Sequence, residues 1–295
     1  MDSGGSNRVI RDEFGLLPTS DLRQVMVALA SEDTDKLLRE LFTYRYNAGT
    51  GISGMTFGNL FMAALTDILH SQEKAIKETC RLLHVKGSIL PVTYENAHLV
   101  ARYANGKQVL GEHNIDEPCE DVTGYKIVEV EVFPPAKANP KAVSAIKEAD
   151  LILLGPGDLF TSILSNVVIS GISSAIKKAK GKKVFVMNLM SRHGQTDGYG
   201  AKDHVEEIEK YLGGKTLDAV IINSNRSFPA GVLARYREEN AFPVKDDLNS
   251  NGNLKIIRGD FVSKIVFEKA KGDKLTRSLI RHDSKRLAKA IVSLL

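Results

Sequence analysis

The sequence predicts an α/β protein built on a Rossmann-like, doubly wound, mostly parallel sheet with an inserted helical and β-hairpin region. Three observations predict it. Apolar runs begin at residues 150, 183 and 217, about 33–34 residues apart, which suits a strand, a crossover helix and a return. These runs are apolar at nearly every position, as parallel strands covered on both faces are. The stretches between them carry helical periodicity.

The elements follow in order. "SDLRQVMVALA" (20–30) places Leu22, Val25, Met26 and Leu29 on one helical face, with Ser20 as an N-cap. Residues 33–46, 55–69 and 72–85 read as three further helices, and the apolar 55–69 is expected to be buried on most sides. The period then changes. Two strand-like runs in 98–113 flank Asn105-Gly106, a pair suited to a type I′ hairpin turn, and 125–133 alternates like a strand. A proline-rich connector spans 134–140. Strands at 150–155, 183–188 and 217–223 follow, with crossover helices at 167–180 and 201–213 and a last helix at 284–295. The expected division is 1–83 as the first part of the core with a helical segment, 84–140 as the insertion, and 141–295 as the nucleotide-binding part.

Composition narrows the function. The chain has 295 residues, 43% hydrophobic and 26% charged, with a net charge of +4. That charge is too small and too scattered to argue for nucleic acid. No apolar run reaches the ~18–20 residues a membrane span needs. Cys80 and Cys119 form no metal-ligand spacing, and the expected location is a reducing cytoplasm.

In a parallel sheet, ligands sit beyond the carboxyl ends of the strands. The first such turn is Gly155-Pro156-Gly157-Asp158, followed by Thr161 and Ser162. Its glycines allow a close backbone approach, and the following helix favours an anion, which suits a phosphate. The plain alternative is a strand-to-helix turn capped by Asp158 or Thr161. The second, 188–205, is long for such a loop and gathers Asn188, Arg192, His193, Gln195, Thr196, Asp197 and Tyr199. Asp203 and His204 read as first-turn residues of the next helix. The third offers Asn223, Asn225 and Arg226, a weak signal on its own. Asp-Ser-Gly-Gly-Ser at 2–6 is another anion nest or metal-carboxylate turn, or else a leader. Asn59, inside an apolar helical run, needs a hydrogen-bond partner or faces a ligand. NAD and flavin cofactors are not expected, since there is no GxGxxG.

Together these stretches resemble one family, that of the 2-phospho-L-lactate transferases and the gluconeogenesis factors (CofD/YvcK-like). The matching segments include "DSGGSNRVIRDEFGLLPTSDLRQVMVALA", "GMTFGNLFMAALTDI", "AIKEADLILLGPGDLFTSILSNVVISGISSAI", "NLMSRHGQTDGYGAKDHV" and "IRHDSKRLAKAI". The "GPGDLFTSILSN" form is closer to the gluconeogenesis-factor branch, with Ser165 where the family usually carries proline. The resemblance implies a ligand with a diphosphate. In the transferase branch this is a GDP-linked lactate with a deazaflavin acceptor and Mg²⁺. In the other branch it is a nucleotide-sugar such as UDP-N-acetylglucosamine, with links to carbon metabolism and cell shape and no established turnover.

On this reading Gly155, Gly157, Asp158 and Ser162 lie at the phosphates, with Asn59 a weaker candidate. Asp2, Gly4 and Gly5 meet them from the other side, Asp2 as a metal ligand. Thr196 and Tyr199 line the sugar or acceptor end, and Asp2 or Asp197 takes a proton if there is chemistry. The family begins with a strand and a Gly-rich turn ahead of the Asp-Ser-Gly-Gly motif, so Met1 is expected to be an internal methionine, the alternative being a true variant with a shortened sheet. Without that strand two apolar strand edges would be exposed, an association hazard that a homo-oligomer would relieve.

Overall fold

The computed structural model describes residues 7, 9–11, 15–32, 34–228, 231–249, 252–265 and 278–295. Two sheets and a helical layer organise them. After helical residues at 7 and 9–11 come four helices: α1 (Ser20–Leu29), α2 (Lys36–Thr43), α3 (Phe57–Leu69) and α4 (Gln72–Leu82). Their apolar faces meet around Met26, Phe42, Met62, Ile76 and Leu83. α3 is the most apolar, and Gly58, Asn59, Met62, Ala63 and Thr66 are buried along it.

An antiparallel sheet follows, in the order β2 (Gln108–Leu110), β1 (His98–Tyr103), β3 (Ile127–Phe133). β1 and β2 turn through Asn105-Gly106, where the Asn105 side chain accepts from Lys107 N–H at 3.1 Å and Gly106 takes φ +83°. A short helix, α5 (Glu112–Asp116), leaves this hairpin. α6 (Pro140–Glu148) starts with a proline at its first position and an Asn139 cap, then leads into the parallel sheet.

That sheet runs β4 (Leu151–Leu154), β5 (Lys182–Val186), β6 (Ala219–Asn223), β7 (Lys255–Gly259), all parallel. α7 (Ser165–Val167) and α8 (Ile172–Lys178) cross from β4 to β5, and α9 (Ala201–Leu212) crosses from β5 to β6. α10 (Val232–Glu238) lies between β6 and β7, and α11 (Ser284–Val292) closes the chain. The largest core joins one face of this sheet to the antiparallel sheet through Leu99, Tyr103, Phe160, Phe185 and Ile208. The opposite face packs on α11 through Val184, Val186, Leu287 and Leu294.

Two differences from the sequence reading have physical causes. The expected helix over 167–180 is broken, because Ser170 pairs as a bridge with Lys137 and Gly171 takes φ +103°. β7 was not anticipated: it is only five residues long and carries Lys255 and Arg258, which dilute its apolar pattern. Among the described residues no helix is long and apolar enough to cross a membrane. Both cysteines are free, Cys80 partly buried and Cys119 exposed.

Candidate functional site

The carboxyl end of β4 turns sharply. Gly155 takes φ +77°, and a Cβ there would lie 2.9 Å from the Val186 carbonyl oxygen on the neighbouring strand. Glycine is therefore required twice, for conformation and for space. The Gly157 N–H donates to Asn188 Oδ1 at 3.2 Å, which ties the ends of β4 and β5 together. A phosphate seated on this amide would have to displace Asn188.

The chain then winds as a π-helix over Leu159–Leu164 before α7, with Ile163 N–H donating to the Asp158 carbonyl at 3.0 Å. Single π turns are rare and recur at functional sites. Here the turn buries Leu159, Phe160, Thr161, Ile163 and Leu164 while leaving Asp158 and Ser162 on the wall of a cleft.

The loop after β5 is held by its own side chains. Thr196 Oγ1 accepts from Arg192 N–H at 2.8 Å. Asp197 accepts from Gly194 N–H at 2.7 Å and pairs with His193 Nδ1 at 3.0 Å. Asp203 accepts from Gly200 N–H at 2.8 Å at the start of α9. Gln195 points inward and donates to Asp116 Oδ1 at 2.6 Å, and Thr161 donates to the same oxygen at 2.9 Å. Arg192 Nη2 stands 3.7 Å from Asp116 Oδ2. The antiparallel sheet thus delivers Asp116, through α5, to a junction between the glycine turn and the long loop. Gly194 lies against Pro118 so closely that no side chain would fit there.

These parts enclose a cleft of about 1380 Å³. One wall carries Gly157, Asp158, Ser162, Asn188 and Arg192, and α5 adds His113 and Asp116. The facing wall is helical. There Arg23 Nε donates to Asn59 Oδ1 at 3.0 Å, Arg23 Nη1 donates to the Phe42 carbonyl at 3.3 Å, and Asn59 Nδ2 donates to Ser20 Oγ at 2.7 Å. Asn59 therefore spends both ends of its amide orienting Arg23 and Ser20. Burial pushes the Asp158 carboxyl above its ordinary range, nearby Asp116 pushes it further, and Arg192 opposes both.

The residues expected from sequence divide accordingly. Gly157, Asp158, Ser162 and Asn59 line this one cleft, and Gly155 shapes the turn behind it. Thr196 and Asp197 brace the long loop rather than line the cleft. Tyr199 packs edge-on against Phe160 and His204 beneath Lys126, and burial pushes its hydroxyl up to about 12. Their polar atoms or rings are consumed in building the loop, which is why they sit away from the opening. Asp2, Gly4 and Gly5 lie outside the described residues. Among the described residues no group of three or more His, Cys, Asp or Glu side chains could hold a metal ion. Arg23, Asp116 and His282 were not singled out from sequence. Asp116 is 45 residues from Thr161 and 79 from Gln195, so no local pattern joins them.

Comparison with known proteins agrees with this architecture. The model of the family described as 2-phospho-L-lactate transferase CofD matches residues 1–262. The chain is 40% identical over 296 residues to an Aquifex aeolicus protein named "Putative gluconeogenesis factor", covering 100% of this chain and 85% of that protein. It is 34% identical over 297 residues to the Bacillus subtilis protein named "Gluconeogenesis factor", covering 100% and 88%. A crystal structure of a UPF0052-family protein from Bacillus halodurans superposes with a TM-score of 0.87 at 33% identity, covering 99% of this chain and 88% of that one. The chain belongs to the CofD family, among relatives that bear the name of gluconeogenesis factors.

Proposed function

We propose that the cleft binds a nucleotide-diphosphate conjugate of the UDP-sugar type, and that the protein serves carbon metabolism and cell shape as a ligand-responsive factor. One observation carries this reading: the glycine turn, Asn188 and Arg192 border the same cleft as Arg23 and Asn59 of the helical wall. Glycine backbone can approach a diphosphate closely, and guanidinium groups on both sides can offset its charge. The gluconeogenesis-factor names of the relatives support the biological setting.

A second reading is a transferase that moves phospholactate from a GDP-linked donor to a deazaflavin acceptor. The size of the cleft favours it. About 1380 Å³ exceeds the ~300–1,000 Å³ usual for one drug-sized ligand and leaves room for a donor and an acceptor together. In that case Asp158, which lines the cleft, is better placed than Asp197 to receive the acceptor's proton, because Asp197 stands off the cleft and is engaged with Gly194 and His193.

Thermal unfolding with a panel of UDP- and GDP-conjugates tests the binding. A true ligand at 100-fold over its Kd should add about 2.7 kcal/mol. A flat response across the panel would refute the reading. Incubation of the binding conjugate with Mg²⁺ and acceptor, followed by assay for UMP or GMP, separates the two readings. Release selects the transferase, and binding without release selects the factor.

A further inference from the structure

The segment that returns to the parallel sheet before α11 brings a histidine to the cleft. Residues 281–283 run antiparallel to 261–263. Ser263 N–H donates to the Arg281 carbonyl at 2.8 Å, and Asp283 N–H donates to the Phe261 carbonyl at 2.7 Å. Val262 and His282 face each other between these bonds. Asp283 then caps α11 by accepting from Arg286 N–H at 2.9 Å. The backbone of His282 is pinned on both sides.

Its ring lies against the Met187 backbone, just past the end of β5 and one residue before the Asn188 that holds Gly157. A ring nitrogen that donates to a carbonyl leaves the second nitrogen of the neutral ring as an acceptor. His282 lines the same cleft as the glycine turn. The groups of this neighbourhood that carry or gain charge are Arg281 on its own segment, Tyr236 and Glu239 at α10, Arg192 and His193 after β5, and Asp158 at the turn. None of them governs the ring. Burial lowers its proton affinity, and the Met187 contact partly offsets that. A neutral imidazole acceptor repels a phosphate oxygen and attracts an O–H donor.

We propose that His282 is a specificity-determining residue of the cleft, accepting a hydrogen bond from a hydroxyl of the ligand whose diphosphate lies at the Gly155–Asp158 turn. The proposal rests on the binding reading above. The hydroxyl belongs either to the ribose or to the conjugated sugar.

Calorimetric titration of the full chain and of the H282Q and H282L variants tests it. UDP-N-acetylglucosamine is the main probe, because its diphosphate is esterified at both ends and does not titrate between pH 5.5 and 8. Wild type should bind more weakly at pH 5.5 than at pH 7.5, by less than tenfold, since a protonated ring cannot accept and burial holds the ring's proton affinity below the ordinary value. H282Q keeps an acceptor but has no ring to protonate. It should bind within a few fold of wild type at pH 7.5 and lose the histidine-dependent drop. H282L should bind about tenfold more weakly than wild type at pH 7.5, with an unchanged far-UV spectrum confirming its fold. UDP at pH 7.5 tells the sources apart: an equal loss in H282L points to the ribose, and a loss confined to the conjugate points to the sugar.

Wild-type affinity that rises as pH falls, with H282Q flat, would mean a cationic ring meeting phosphate and would overturn the proposal. Equal affinity of H282L and wild type would reduce His282 to a structural tie and overturn it as well. Failure of wild type to bind either nucleotide would refute the binding reading and this inference with it, and that result is distinct from binding to which His282 is indifferent.

Discussion

Asp158 shows how much a single carboxylate can cost where it is placed. Burial and the neighbouring Asp116 both disfavour its ionised form, and only Arg192 favours it. A group whose pKa is raised by folding destabilises the native state at pH values above that pKa and ceases to do so as pH falls through it. Asp158→Asn is therefore expected to raise the thermal midpoint at pH 8, with the gain shrinking as pH falls through the raised pKa toward the ordinary carboxylate range. A lower midpoint at pH 8 would show that the carboxylate is a net stabiliser. The residue was legible in sequence because it follows a glycine turn at a strand end. The groups that set its charge were not, since Asp116 comes from α5 and Arg192 from the next strand's loop.

At the scale of elements, β5 and β6 were legible because both faces are covered beyond the two lysines that open β5, and β4 because all four of its residues are apolar, although Leu153 is exposed. The hairpin at Asn105-Gly106 was legible from its turn. α5 was not, because five residues give too short a period, and the π turn after Asp158 has no sequence signature of its own. α3 carries a subtler message. Glycine inside a helix costs about 1 kcal/mol relative to alanine, yet Gly58 sits in its first turn. A Cβ there would lie 2.6 Å from Arg23 Cδ and 2.7 Å from the Phe42 carbonyl oxygen. The helix gives up propensity so that the Arg23 stem can cross it. Gly58→Ala is expected to cost on the order of 1–3 kcal/mol by overpacking, despite alanine's better propensity. A urea midpoint equal to or above that of wild type would contradict this.

Over the whole molecule, the buried His204 and the half-buried His282 are expected to set the acid limb of stability. His204 Nδ1 lies 2.8 Å from the Gly200 carbonyl, and its buried Nε2 has no partner among the described residues. Burial lowers the proton affinity of both His204 and His282 below the ordinary 6.5. The unfolded chain therefore takes up protons first as pH falls through 6.5, and the stability present above that value is lost below it. Asp158 acts in the opposite direction, closer to the carboxylate range. The thermal midpoint is expected to fall between pH 7.5 and pH 5.5, and His204→Gln should flatten that fall. An equally steep profile in the variant would place the responsible groups elsewhere.

The cleft borrows its lining from α1 and α3, from α5, and from the ends of β4 and β5. Whatever molecule settles there touches stretches far apart along the chain and fastens them like a rivet. Amide exchange should then slow together near residues 20–24, 112–118 and 156–162, although a small guest covers few of those amides itself.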